Sequence, residues 1–345
     1  MAASCPHKLR RVLVPLVHAA PGGAARQCAL RGQEHVPLGI HARSAISFRV
    51  RVIIAFALVY LFWGSTYLAI GIAVERVPPV LMAGVRFFTA GTLLLAFSAA
   101  NGRRIVVDRR QLGVLAIVGI LLLSVANSVL AWAELHVPTG LAALIVAIVP
   151  VWFLLLERYV IRRGESPGGR GLAGVALGAA GMVVLLWPRL TATSTLGWLQ
   201  LLAAVSLLGS SFVWALGSVL GRHLRVTVDP LVGSAWQMAI GGAVNLTAAS
   251  LVGQWGRARW DWTAVGAILY LIVFGSWVGY SAYIWLLRHV PTSRVSTYAY
   301  VNPVIAVFLG WLILGERIDG YVVAGTSIII PAVALAVGAQ AVRAR

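Results

Sequence analysis

The sequence predicts an all-α integral membrane protein of ten transmembrane helices, arranged as two inverted five-helix repeats. Three observations predict it. Of 345 residues, 60% are hydrophobic and only 11% charged, with a mean hydropathy of +0.88. A soluble globular chain carries about a quarter of its residues as charges, so this surface faces lipid. The apolar residues gather into ten runs long enough to span a bilayer, and the two halves of the chain repeat each other's polar punctuation.

A helix needs about 20 apolar residues to cross the hydrocarbon core. Runs of that kind, separated by Gly, Pro and Arg clusters, fall at 52–73, 80–100, 112–133, 139–160, 171–187, 196–220, 231–252, 263–287, 293–314 and 321–338. They divide the chain into a leader (1–49), a first repeat (50–190) and a second repeat (196–340). The leader is basic, rich in Pro and Gly, and holds Glu34 as its one acid; it reads as a disordered extension without a secretory apolar core. Taking the N-terminus as side one, the loops and tail on that side beyond the leader carry fourteen basic residues, against five on the other side. The positive-inside rule then places both termini in the cytoplasm, at a cell or inner membrane.

The net charge of +18 does not point to nucleic acid. It is almost all Arg, with Lys8 as the single lysine, and is scattered in short patches between apolar runs rather than gathered into one basic domain. The two cysteines, Cys5 and Cys28, lie in the leader and make no metal or disulfide framework. The expected partners are a small-molecule substrate and the lipid bilayer, with no nucleic acid and no cofactor; the chain is a monomer or a homodimer.

The repeat shows in residues that stand outside the apolar background. Trp63, Pro79 and Arg86 match Trp214, Pro230 and Gln237 at an offset of 151. His136-Val137-Pro138-Thr139 matches His289-Val290-Pro291-Thr292 at 153, and Pro150 matches Pro303 at the same offset. With five spans per unit, an odd number, the second copy enters the membrane from the opposite side. Inverted repeats of this kind are a common plan of secondary transporters, with a site near the bilayer midplane.

Trp63-Gly64-Ser65-Thr66-Tyr67 in the first span, Gly84-Val85-Arg86-Phe87 in the second, and Tyr298-Ala299-Tyr300-Val301-Asn302-Pro303-Val304 in the ninth followed by Gly315-Glu316 resemble the EamA branch of the drug/metabolite transporter superfamily, and within it the YedA-like bacterial inner-membrane proteins. The resemblance runs from about Val50 to the C-terminus. It implies a ten-helix fold of two inverted repeats around a central cavity, and export of metabolites or amino-acid-like compounds. The halves differ near their ends: Glu165 stands fifteen residues after Pro150, Glu316 thirteen after Pro303.

Arg86 is the sharpest candidate. An Arg near a helix centre costs roughly 2.5–3.5 kcal/mol on insertion scales, so it needs a partner or a wet cavity. Its planar fork suits an anionic group such as a carboxylate; the other reading is snorkelling to the outer surface. Ser124, Asn127 and Glu134 share one face of the third span, and Glu134 is either a gate or proton acceptor beside Arg86, or a solvated interfacial carboxylate. Trp63, Ser65 and Tyr67, Trp214 and Gln237, Trp277 and Tyr280, and Tyr298 and Asn302 complete the expected substrate pathway, some of them with the alternative of an interfacial belt. Glu157 and Arg158 read as interfacial anchors. Pro150 and Pro303 remove backbone donors inside the fourth and ninth spans and are expected as matched hinges. Gly171, Gly174, Gly178 and Gly181 form a small-residue face for close helix packing.

With lysine only at position 8, a phosphate loop of the G-x-x-x-x-G-K-[ST] type is impossible, which excludes ATP-driven transport by this chain alone. Gly209-Ser210-Ser211 is no nucleophile elbow, and His136 and His289 sit at opposite span ends. The leading expectation is a secondary transporter; the alternatives are an intramembrane enzyme acting on lipid-linked substrates and a facilitated channel.

Overall fold

The computed structural model describes residues 38–160, 169–190, 195–224 and 226–343. Every regular element among them is helical: α1 (Leu38–Val74), α2 (Pro79–Ala100), α3 (Arg109–Ala133), α4 (Thr139–Tyr159), α5 (Gly169–Leu190), α6 (Thr195–His223), α7 (Pro230–Leu251), α8 (Trp262–His289), α9 in two pieces (Thr292–Val295 and Tyr298–Leu314) and α10 (Gly320–Arg343). Of these, α1, α2, α3, α4, α6 and α8 are long and apolar enough to cross a membrane, and α9 and α10 hold the shorter apolar stretches Val301–Leu314 and Gly320–Ala332. The helix α7 is as long as α2, at 22 residues. Its apolar content is diluted by Gln237 and Asn245, both buried.

Two features depart from the sequence expectation. The helix α1 begins at Leu38, inside the stretch read as a disordered leader; from 38 to 51 the chain has no proline and a single glycine, so nothing stops the helix extending. The rest of that leader and Glu165 lie outside the described residues. The prolines were expected to interrupt α4 and α9 at matching places. The break in α4 does fall at Ala147–Ile148, just before Pro150. In α9 the break comes earlier, at Ser296–Thr297, and Pro303 lies inside the continuous helix Tyr298–Leu314.

Local structure repeats at the sequence offset. After α2, Asn101, Gly102 and Arg103 donate their backbone N–H to Phe97, Ala99 and Ser98. After α7, Val252, Gly253 and Gln254 donate to Ala248, Ser250 and Ala249, each pair shifted by 151 residues. The turn needs a left-handed residue, and glycine supplies it both times, at φ 69° for Gly102 and 65° for Gly253. Wide π-type turns also recur, at Ile120–Ala126 in α3 and Leu271–Tyr280 in α8. Such turns shift the side chains that follow and are frequent at functional sites.

Three helices pack on their repeat mates: α2 on α7, α4 on α9 and α5 on α10. The closest crossing is α2 on α7. A Cβ built on Gly91 would stand 2.7 Å from the Ala239 Cα, and one on Gly242 would stand 2.6 Å from the Phe88 Cα. Because 91 matches 242 and 88 matches 239, these are the same contact made twice. The helix α5 pairs with α10, where Gly181 closes on Ile328 and Ile329 at 2.9 Å from its built Cβ. The third helices cross over: α3 lies on α7, with Gly119 against the Gln237 carbonyl, and α8 lies on α2, with Trp277 Nε1 donating to the Ala90 carbonyl at 2.8 Å. The core between them is built on Phe87, Leu122, Leu123, Tyr280 and Tyr283.

Three helix starts, those of α3, α7 and α8, are capped by aspartates. Asp108 accepts from the N–H groups of Arg110 and Gln111, Asp229 from Leu231 and Val232, and Asp261 from Ala264. Each satisfies donors that the first helical turn leaves unpaired.

Candidate substrate cavity

Helices α1, α2, α3, α4, α6, α8 and α9 surround a cavity with about 650 Å³ of empty space, counting what opens at its mouth. Its apolar side is aromatic. Trp63 and its repeat mate Trp214 meet edge to face, with ring centres 5.4 Å apart. Tyr298 stands edge-on to Trp63 at 5.3 Å, and Tyr283 packs behind them at 4.7 Å from Trp63. Edge-to-face geometry places the positive rim of one ring on the negative face of the next, so the box is rigid. Trp63 is fixed further by its Nε1, which donates to the Gly275 carbonyl at 3.1 Å.

Its polar side is centred on Arg86, which is 3% exposed. The wide turn of α8 brings Ser276 to Arg86, whose Nε donates to Ser276 Oγ at 3.0 Å. The guanidinium carbon lies 4.4 Å from the centre of the Phe87 ring, and Gly275 leaves room for its far edge. Nη1 has no hydrogen-bond partner. An unpaired buried donor on a full cation is expensive, and the side chain that carries it lines the cavity. Asn127 Oδ1 and Trp214 Nε1 are likewise buried without partners. The wall therefore offers a cation and a neutral donor beside an acceptor, against an aromatic floor.

Of the twelve pathway residues expected from the sequence, Trp63, Tyr67, Arg86, Asn127, Trp214, Tyr280, Tyr298 and Asn302 line this cavity. The Asn302 amide nitrogen faces the carbonyls of Tyr298 and Tyr60, at 3.2 and 3.3 Å. The other four lie elsewhere. Ser65 points away, bonded to Tyr270 Oη at 2.6 Å and to its own helix. Trp277 spends its donor on α2. Gln237 accepts from the Tyr280 hydroxyl at 2.8 Å and lines a separate, smaller cavity with Arg222 and Arg288. Glu134 sits outside the lining and is only 8% exposed, so it is not a solvated interfacial carboxylate. Glu157, expected as an anchor, accepts from the Thr292 hydroxyl and ties α4 to α9.

Sequence reasoning missed Thr66, Ser210, Ser211 and Ser276. The hydroxyl of Ser210 donates to the Ala126 carbonyl at 2.8 Å, and Ser211 accepts from Trp152 Nε1 at 2.9 Å. Their signal was weak: Ser210 and Ser211 lie one helical turn before Trp214 on α6, the only hint that they share its face.

A multi-helix membrane protein with an aromatic cavity around a buried cation belongs to the class of small-molecule transporters. The chain is a member of the EamA-like transporter family, whose model matches residues 50–187 and 201–338; it is a multi-pass membrane transporter and not an enzyme. It is 38% identical over 261 residues to the uncharacterized inner membrane transporter YedA of Escherichia coli K12, covering 75% of this chain and 82% of that one. It is 28% identical over 290 residues to a probable amino-acid metabolite efflux pump of the same organism, covering 79% and 90%. A crystal structure superposes with a TM-score of 0.63 at 19% identity, over 85% of this chain and 99% of the other, a likeness of fold alone.

Proposed function

We propose that the protein is a secondary transporter of ten spans in two inverted repeats, with both ends cytoplasmic, that exports small metabolites or amino-acid-like compounds through the cavity at Arg86. The observation that carries this reading is Arg86 itself: a buried guanidinium, oriented by Ser276, with one nitrogen unpaired, in the wall of an aromatic-lined cavity. A carboxylate completes that arrangement, since a bidentate Arg pair is directional and charge-assisted. The aromatic floor then takes the apolar part of the solute. The name of the efflux-pump relative points the same way.

The inverted arrangement is supported by the reciprocal crossing of α2 and α7. When residue i of one unit touches j of the other, and j's mate touches i's mate, the units are related by a two-fold axis. An odd number of spans per unit lays that axis in the membrane plane. The exchange of α3 and α8 onto α7 and α2 follows the same symmetry. Pro150 and Pro303 then serve as hinges of unequal form, one at a helix break and one within a helix.

Counterflow tests the proposal. Proteoliposomes loaded with an unlabelled amino acid, and diluted into a trace of the labelled one, accumulate label transiently if a carrier exchanges it. Across a panel of proteinogenic amino acids and their carboxylate-blocked amides, the acids are exchanged and the amides are not, and Arg86→Ala abolishes exchange while inserting normally. Flux that does not saturate marks a channel and overturns the carrier reading.

A further inference from the structure

We propose that Glu134 is a proton-binding site whose charge state regulates Arg86. The proposal rests on the transport reading for its consequence but not for its chemistry. Glu134 ends α3, beyond the lining of the cavity, and neither of its carboxylate oxygens has a hydrogen-bond partner. Thr139, at the start of α4, has an unpartnered buried hydroxyl beside it. Gly71 in α1 lets both approach: a Cβ there would stand 2.7 Å from Thr139 Cγ2 and 3.8 Å from Glu134 Oε2. The titratable groups whose charges couple to Glu134 are Glu316 from the segment after α9, Arg86 from α2 and Tyr67 from α1. The ion pairs seen among the described residues, Arg76–Glu75, Arg76–Asp261 and Arg103–Asp229, do not involve Glu134.

Glu316 is differently placed. Its two oxygens accept from the backbone N–H groups of Thr139, at 2.7 Å, and Gly140, at 3.2 Å. The N-terminus of α4 thus gives each Glu316 oxygen a backbone donor. A second carboxylate turned to the same dry layer, without a donor, needs a cation of its own. Hard metal cations take a shell of about six oxygens. The layer's unpartnered side-chain oxygens are the two of Glu134 and one of Thr139, half of such a shell, whereas a single proton satisfies the charge. Proton binding adds H⁺ to one Glu134 oxygen and leaves a neutral carboxyl. The ionised form draws on the positive field of Arg86; the neutral form releases that field to the anionic group of the solute.

Infrared difference spectroscopy of the purified full chain tests the site, with the proton as the probe. Titration from neutral to acid produces a protonated-carboxyl C=O band that deuterium shifts. The band is lost in Glu134→Gln, moved in Glu134→Asp and kept in Glu316→Gln. A band that survives Glu134→Gln, or the lack of any band, overturns the site, as does a band that sodium chloride removes at fixed pH. The Asp variant decides the case if the Gln variant does not fold. Regulation is read from counterflow of whichever amino acid the panel identifies: the wild-type apparent KM falls as pH falls, and Glu134→Gln loses that dependence. A pH-independent wild-type KM overturns regulation while transport stands. If wild type exchanges no member of the panel, the transport reading fails and the infrared titration still decides the site.

Discussion

Adding one methyl group to the α2–α7 crossing is the perturbation whose size the structure fixes best. At Gly91 the new Cβ meets the Ala239 Cα at 2.7 Å and the Ala235 carbonyl oxygen at 2.8 Å; at Gly242 it meets the Phe88 Cα at 2.6 Å. Comfortable Cβ contacts begin near 3.4 Å, and the backbone nitrogens of Ala239 and Phe88 stand nearer still, so the helices must part by about 1 Å or more. The obstacle is backbone, which has no rotamer to yield, and overpacking of a tight core costs about 1–3 kcal/mol. Gly91→Ala and Gly242→Ala each fall toward the upper end of that range. Because both mutations strain one crossing, the first separation relieves the second clash, and the double variant is less than additive by about 1 kcal/mol. Reversible unfolding in mixed micelles by added dodecyl sulfate reads all four forms. Single substitutions that cost under about 0.5 kcal/mol, or strictly additive ones, refute the crossing as described.

Arg86→Lys keeps the charge but loses the planar fork; at about 1.5–3 kcal/mol for a charge-assisted hydrogen bond, the counterflow KM rises roughly ten- to hundredfold. Glu316→Ala frees the first two N–H groups of α4 and lowers stability by about 1–2 kcal/mol, seen in thermal unfolding and in faster amide exchange at Thr139 and Gly140. Asp108 and Asp261, outside the spans, are held below the usual carboxylate range, by the backbone N–H groups of Arg110 and Ala264 foremost. A depressed folded value gives stability that is complete above the unfolded value of about 3.9 and is lost as pH falls through the folded one. Melting temperature therefore drops on that acid limb, and Asp108→Asn with Asp261→Asn, which keep a capping oxygen, flatten it.

Much of this architecture was legible in the sequence because lipid demands long apolar helices and duplication leaves matching marks. Trp63 and Trp214 were paired by spacing alone, and they touch in the structure. What the sequence hid are features set by tertiary fit. The wide turns of α3 and α8 carry no composition signal, yet one of them delivers Ser276 to Arg86. Ser65 stands in the same short motif as Trp63 and Tyr67 but points the other way, because neighbouring helix positions are about 100° apart. Burial of Glu134 follows in part from Glu316, which is far from it in sequence, so exposure at a span end was the natural expectation. Pro303 lies within its helix because the chain turns earlier, at Ser296–Thr297.

The inverted relation of the two repeats has its most direct test at a pair of mates. Asn101 and Val252 occupy the same place after α2 and α7, with φ, ψ of −90°, 19° and −96°, 13°, and both are exposed. In a Cys5→Ser, Cys28→Ser background, Asn101→Cys and Val252→Cys are labelled with a membrane-impermeant maleimide in right-side-out and inside-out vesicles. Inversion predicts that position 101 reacts only from the cytoplasmic face and position 252 only from the opposite one. Labelling of both from a single face contradicts it.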